Sequence, residues 1–398
     1  MTTFDPRAEL AAAPSPWEEM PEPSVRSGPP WHMTEMIAAE PYLADRILER
    51  LADPQGAAGR LAGAIGQAAS TGAAIITTGC GTSEHAAQGA AEILRAAVRA
   101  AGLPSGPFGV AAAQAFELAL DPPTGGIVIG ISHEGGSLAT IDAMDAAGDA
   151  GARVGLITGS AEAPAADAAD EDLVVETVEM DQGWCHTVGY VGPLVATAAI
   201  AGHLAGSAPD AGAIHDLLAS GAADAPTAEA IAARLAACRT ILTIASGSDR
   251  PAARELALKI EEAAWIPTTM RDLETFLHGH LPATDTSTGL VLILTDRDGR
   301  AERVARARDA LAAAKVVGLA VAAIVAAGVS DELPAELTPL GRLVVNEAPG
   351  LSSPAAALLA SATPLQLLTE RIARVRGTNP DLIRRDDPVY RKAAEAAG

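Results

Sequence analysis

The chain is short of aromatic side chains, of cysteine and of positive charge. Phe, Trp and Tyr together make up 3% of its 398 residues, although 49% are hydrophobic. Its interior therefore has to be built from Ala, Val, Ile and Leu, a composition that favours helices packed closely on a sheet. Lys and Arg number 28 against 50 Asp and Glu, a net charge of −22. That imbalance argues against nucleic acid and against an anionic membrane surface as partners, because both need clustered positive charge. A small anion would have to be held by local dipoles and a few chosen cations.

The three cysteines, Cys80, Cys185 and Cys238, are widely spaced, and no Cys-x-x-Cys pair occurs. This excludes a disulfide framework and a structural zinc site, and it fits a reducing compartment. No basic segment followed by an apolar stretch opens the sequence, so no signal peptide is expected. The apolar run at 316–328 falls short of the roughly 20 residues that span a bilayer. The expectation is a soluble cytoplasmic protein. Its length exceeds one usual core and points to two domains.

Residues 1–30 are rich in Pro, Glu and Ser and read as an extended arm. Helical spacing of Met33, Met36, Ile37, Ile47 and Leu51 follows, interrupted by Pro41. Strand-like runs at 73–78, 126–132, 153–158 and 173–178 then alternate with helical stretches at 86–101, 137–150 and 189–204. Strands separated by helix-length connections imply βαβ units and a parallel sheet flanked by helices, an α/β fold. Residues 205–228, rich in Gly, Ala, Pro and Asp, are the candidate linker. The alternation restarts with a strand at 240–245, a Ser246-Gly-Ser-Asp249 turn, a helix at 251–264, and strands at 290–295, 316–324 and 342–346. Two successive strand–turn–helix openings look like a duplicated domain. The division is an arm at 1–30, domains at 31–215 and 225–370, and a tail at 371–398.

The first opening is the most informative segment. The run Ala73-Ala-Ile-Ile-Thr-Thr78 empties into Gly79-Cys-Gly-Thr-Ser83 just before a helix. Backbone N–H groups without intrahelical partners and the positive helix end gather there, which suits a phosphate or another anion. A dinucleotide fingerprint fails, because its third glycine is replaced by Glu84. Cys80 carries no local mark of an activated nucleophile and reads as a small packed thiol.

These residues carry a resemblance. Cys80-Gly-Thr-Ser83 with His85, Ala257-Leu-Lys-Ile-Glu-Glu262, the His278-Gly279 turn, Pro364-Leu-Gln-Leu-Leu368 and Arg376-Gly-Thr378 occur in the order of a known set. Over residues 32–385 the chain resembles the sugar isomerase (SIS) family, in particular its double-SIS members such as the isomerase half of glucosamine-6-phosphate synthase. The resemblance implies two tandem flavodoxin-like domains, a homodimer with shared sites, a sugar or sugar phosphate as ligand, and no cofactor or metal. It also implies a substrate site lined by Cys80, Gly81, Thr82, Ser83, Ser132, His133, Glu134, Ser137 and His186.

Within that set the loop Ser132-His-Glu-Gly-Gly-Ser137 departs from the family's Ser-x-Ser-Gly-x-Thr, placing Glu134 where the middle serine belongs. A carboxylate ~4 Å from a phosphate costs about 1 kcal/mol even in bulk water. Glu134 therefore turns away, pairs with a cation, or faces a substrate without a phosphate at this point. In Asp181-Gln-Gly-Trp-Cys-His-Thr-Val188 the family's lysine is replaced by Val188, and Trp184 and His186 appear.

Isomerisation through an enediol needs a base within reach of both C1 and C2, and a proton donor to open the ring. By resemblance Glu262 is the proton shuttle. Lys259, three residues earlier on the same helical face, stabilises the enediolate oxygen or tunes Glu262. His278 matches the ring-opening histidine, which in relatives reaches the partner subunit's site, and His280 competes for that role. The tail implies a cover over the site, with Lys392 as its candidate cation. An aldose–ketose isomerase is the leading expectation. Removal of an amine at C1 or C2 is the alternative, and a non-catalytic sugar-binding role is the third.

Overall fold

The computed structural model describes residues 4–10, 23–104, 106 and 109–397. Half of the proline-rich arm, residues 1–3 and 11–22, lies outside the described residues. Two helices, α1 (His32–Arg50) and α2 (Ala57–Thr71), precede the first sheet. Pro41 does not interrupt α1. It removes one N–H donor, but Met33, Met36, Ile37, Leu43 and Ile47 stay buried along the same face and hold the helix in place.

The first sheet holds β1 (Ile75–Gly79), β2 (Val110–Gln114), β3 (Ile127–Ser132), β4 (Arg153–Thr158) and β5 (Val174–Glu176). Its helices are α3 (Thr82–Ala100), α4 (Ala115–Leu120), α5 (Leu138–Asp149) and α6 (Val188–Ala205). The strands run parallel in the order β2-β1-β3-β4-β5. Sequence patterning missed β2, because the run Val110-Ala-Ala-Ala-Gln114 is mostly alanine and carries no β-branched signal beyond its first residue.

The expected linker is largely helical: α7 (Ala211–Gly221) and α8 (Ala225–Leu235) fill it, each opened by an aspartate that accepts a bond from the first turn, Asp210 and Asp224. The second sheet follows with β6 (Thr240–Ala245), β7 (Thr268–Asp272), β8 (Thr288–Leu294), β9 (Ala320–Ala326) and β10 (Arg342–Val345). Between them lie α9 (Arg250–Ala264), α10 (Leu273–Thr275), α11 (Arg300–Val317) and α12 (Ala327–Ser330). The end of α11 takes Val316 and Val317, so the strand expected to start at 316 begins only after Gly318. A long helix, α13 (Ser353–Arg376), and a last one, α14 (Pro388–Ala397), complete the chain.

The second sheet, ordered β10-β9-β8-β6-β7, repeats the first when its strands are counted from β6. This is the doubly wound order whose switch point, where ligands bind, lies between the first and third strands at their carboxyl ends. One core joins the two halves: Leu194 of α6, Leu256 and Ile260 of α9, and Leu358, Leu365 and Leu368 of α13 belong to a single buried cluster. The most apolar helix, α6, has the length and composition of a membrane span, yet 78% of it is buried inside the protein. It is a core helix covered by its neighbours.

Gly79, where β1 meets the turn, shows how tight the first switch point is. A Cβ there would stand 2.7 Å from the Ser83 carbonyl oxygen and 2.8 Å from that of Ile131, both on backbone that has no slack. Gly79→Ala is expected to destabilise the fold by about 1–3 kcal/mol, read as a lower denaturant midpoint at unchanged slope. Wild-type stability in that variant would show that the turn can shift.

Candidate functional site

The two switch points differ in what fills them. In the second domain the Ser246–Asp249 turn is occupied by the chain's own carboxylates. The Ser248 N–H donates to Asp296 Oδ2 at 2.9 Å, and Arg303 Nη1 lies 2.6 Å from the same oxygen. Asp249 accepts from the backbone N–H groups of Thr295 and Asp296 at 2.8 and 3.0 Å. Burial pushes its carboxyl up to about 6. An aspartate thus sits where an anion would, and this crevice is closed.

The first switch point is lined on one side by the Cys80–Ser83 turn. Cys80 is partly buried and accepts from the Thr140 hydroxyl at 3.6 Å, which fits its reading as a packed thiol. Gly81 takes φ 56° and leads into α3. Thr82 is buried and its hydroxyl donates to Glu255 Oε1 at 3.3 Å, so it faces the second domain and not the crevice. Across the crevice, Ser132 ends β3 and Ser137 caps α5, accepting from the Thr140 hydroxyl at 3.4 Å.

Glu134 does not turn away. Its Oε1 lies 3.5 Å from Nε2 of His186, with side-chain exposures of 27% and 24%. Burial by itself would raise the Glu134 carboxyl, but the hydrogen bond and charge of His186 outweigh it and hold it below the usual range. Burial would likewise lower His186, and the Asp181 and Glu134 carboxylates outweigh it and raise its value. Behind this pair the His133 and His186 rings meet edge to face, 5.4 Å apart. His133 is buried, with Nε2 accepting from the Asp181 N–H at 3.0 Å. The Asp181 carboxylate caps α6, accepting from the N–H groups of Thr187, Val188 and Gly189 at 2.8, 3.0 and 2.7 Å.

A raised histidine value carries a pH consequence. The stabilisation His186 gains from its carboxylates is fully present below about 6.5, its value in the unfolded chain, and is lost as pH rises through its folded value. The difference in melting temperature between the wild type and His186→Gln is therefore expected to be largest near pH 6 and to close towards pH 8.5. A difference that widens with pH would mean that the pair is absent in solution.

A second cluster of charged side chains lies on α9. Lys259 is fully buried, with Nζ 2.5 Å from Glu262 Oε2 and 3.7 Å from Glu255 Oε1. Burial works against its charge, but Glu262, Cys185 and Glu255 more than compensate and raise its value above the ordinary lysine range. Glu255 is buried and also takes His85 Nδ1 at 2.8 Å, so it ties α3 of the first domain to α9 of the second. Burial would raise Glu255, and Lys259 and His85 together lower it. Glu262 is the more exposed of the two glutamates on Lys259, with 23% of its side chain exposed. It opens on a cavity of about 420 Å³ that is also lined by Trp265, Arg384 and Tyr390.

His278 is not brought to this network. It sits on an exposed turn, 69% exposed, paired with Glu274 at 2.7 Å, and Arg306 holds the same carboxylate. His280 Nδ1 accepts from Arg271 at 3.2 Å. Lys392 is exposed on α14, and the tail cation that lines the cavity at Glu262 is Arg384, which stacks on Trp265 at 4.6 Å and on Tyr390 at 3.8 Å. The segment before it, Asp381, accepts from the first N–H groups of α1 and bonds Trp184, so the tail does lie over this end of the fold. Sequence reading also passed over Glu255 and Cys185. Cys185 is fully buried, and burial raises its thiol well above the ordinary value, with the charges of Glu262 and Glu255 adding to the rise. The spacing Glu255-x-x-x-Lys259-x-x-Glu262 on one helix face is the signal that could have found Glu255.

No family model matches the sequence, and no curated protein sequence does. Solved structures do match its fold. The C-terminal domain of glucosamine-fructose-6-phosphate aminotransferase from Francisella tularensis superimposes with a TM-score of 0.74 at 17% identity, covering 90% of this chain and all of that one. Tagatose-6-phosphate ketose/aldose isomerase from Escherichia coli gives 0.69 at 17% identity over 91% of this chain and 97% of that one. Glucosamine-6-phosphate deaminase from Thermotoga maritima gives 0.58 at 16% identity over 88% and 96%. The tandem fold of SIS-domain phosphosugar isomerases is thus shared along nearly the whole chain.

Proposed function

We propose that the chain is an aldose–ketose isomerase that acts through an enediol on a sugar or sugar phosphate, with Glu262 moving the proton between C1 and C2. The observation that carries this reading is the cross-domain network. A lysine is buried between two glutamates, one of them locked to the first domain's turn and the other left at the mouth of a cavity. Glu262 takes the proton from one carbon and returns it to the other, and its position requires no further base. Lys259 lies behind Glu262 with no exposed atom, so its role is to hold and tune that carboxylate. Contact with the enediolate oxygen does not suit its burial.

The His278 turn projects from the surface, where it suits donation of a histidine to a second copy of the chain. Phe116 and Leu120 of α4 and Leu138 of α5, exposed at 58, 68 and 72%, supply an apolar face for such a homodimer. Light scattering on the wild type and on Phe116→Glu tests the dimer, which the charge is expected to dissociate.

Incubating the protein with free and phosphorylated ketoses, aldoses and amino sugars in deuterated water tests the activity. Deuterium is expected at C1 or C2 with interconversion of the two sugar forms and no ammonia. Ammonia release would assign the deaminase reaction instead, and binding without exchange would leave only a sugar-binding protein.

A further inference from the structure

The charge at the β3–α5 loop says what kind of ligand end it accepts. Glu134 and His186 form a pair at the mouth of the loop, and beneath them lie a second carboxylate, Asp181, and a second imidazole, His133. The His133 nitrogen that faces Asp181 lies 3.0 Å from its backbone N and 3.1 Å from its Oδ2, so it is already engaged by that residue. The Asp181 carboxylate spends both oxygens on α6. The ion pairs given for the loop among the described residues, His133–Asp181 and His186–Glu134, are between imidazole and carboxylate. The buried lysine of α9, Lys259, is engaged by Glu262 and Glu255. The one hydroxyl of the facing turn with a buried partner, that of Thr82, donates to Glu255.

A phosphate dianion placed here meets the Glu134 carboxylate, whose partner at the mouth is the single imidazole of His186, and repulsion from Glu134 counts against it. A hydroxyl or an ammonium group finds the opposite. Glu134 accepts a hydrogen bond from it, and Ser132 and Ser137 give and take the others. We infer that the β3–α5 loop holds the hydroxyl- or amine-bearing end of an unphosphorylated sugar, and that Glu134, fixed by His186, is the residue that selects against phosphate. This rests on the isomerase reading of the same site and narrows its substrate class.

The test compares binding of inorganic phosphate, fructose, glucosamine and their 6-phosphates to the full chain by calorimetry. It uses the wild type, Glu134→Ser and Glu134→Gln, and follows deuterium exchange in parallel. The free sugars are expected to bind wild type at least tenfold more tightly than the 6-phosphates, and both variants should gain at least tenfold in phosphate affinity. Glucosamine binding ahead of fructose would assign the amine, and the reverse order the hydroxyl. A wild type that prefers the phosphorylated sugars and exchanges them overturns the inference and leaves the isomerase standing. Variants that gain no phosphate affinity also overturn it, whatever sugar exchanges. Absence of exchange with every sugar, alongside the expected gain in phosphate affinity, sinks the isomerase reading and keeps the role of Glu134.

Discussion

Glu262→Gln is expected to leave a folded protein in which deuterium exchange at C1 and C2 has fallen by about 10²–10⁴-fold. Glutamine keeps the shape of the side chain and an oxygen for Lys259, which lies 2.5 Å from the carboxylate. It cannot accept a proton from carbon. The loss should therefore fall on turnover, with sugar binding within a few-fold of wild type. Circular dichroism and the denaturant midpoint control for folding. Exchange that survives at the wild-type rate would place the base elsewhere, and Glu261, one residue earlier, is not a ready substitute. Its carboxylate is used by the Thr268 N–H at 3.0 Å, on the route into β7.

Lys259→Met should have the larger effect on stability, about 3–5 kcal/mol, because it removes one partner of a buried ion cluster and leaves the others. Glu255 is buried and would keep only His85 and Thr82. Its folded value is depressed, so the stability it supplies is present above its unfolded value of about 4.3 and lost as pH falls through the folded one. The gap between wild type and Lys259→Met in urea should therefore hold from pH 7 down to about 4.3 and narrow only below it, as Glu255 takes up its proton. Adding Glu255→Gln to Lys259→Met removes the orphaned charge and should recover part of the loss, which a simple packing defect would not do. A variant as stable as wild type would mean that the lysine is not buried between these carboxylates.

The alternation of β-branched runs with helix-length segments gave both sheets, and the strands it missed are instructive. In β2 and β7, Val110-Ala-Ala-Ala-Gln114 and Thr268-Thr-Met-Arg-Asp272 lie next to the first strand of each sheet and lack a run of large β-branched apolar residues. Their pairing with β1 and β6 is supplied by the finished sheet and not by local preference. Lys259 and Glu262 were legible because three residues along a helix bring side chains to one face. His278 was legible as a residue type, yet its place on an exposed turn, bonded to Glu274, follows from packing between α10 and α11.

The opposed fates of the two turns also lie beyond sequence. Both read as strands emptying into Gly and Ser, but Asp296, 47 residues past Asp249, closes the second turn, and nothing local announces it. For Glu134 three orientations were open, and the choice depended on His186, which lies 52 residues away in sequence and 3.5 Å away in space. The sequence by itself determined the α/β class, the duplication, the poverty of positive charge and the residue types of the site, because periodicity and composition are local properties. Tertiary structure decided which carboxylate met which cation and which of the two turns was filled by an aspartate. Those choices are set by approach distances between segments far apart in the chain, and no local pattern encodes them.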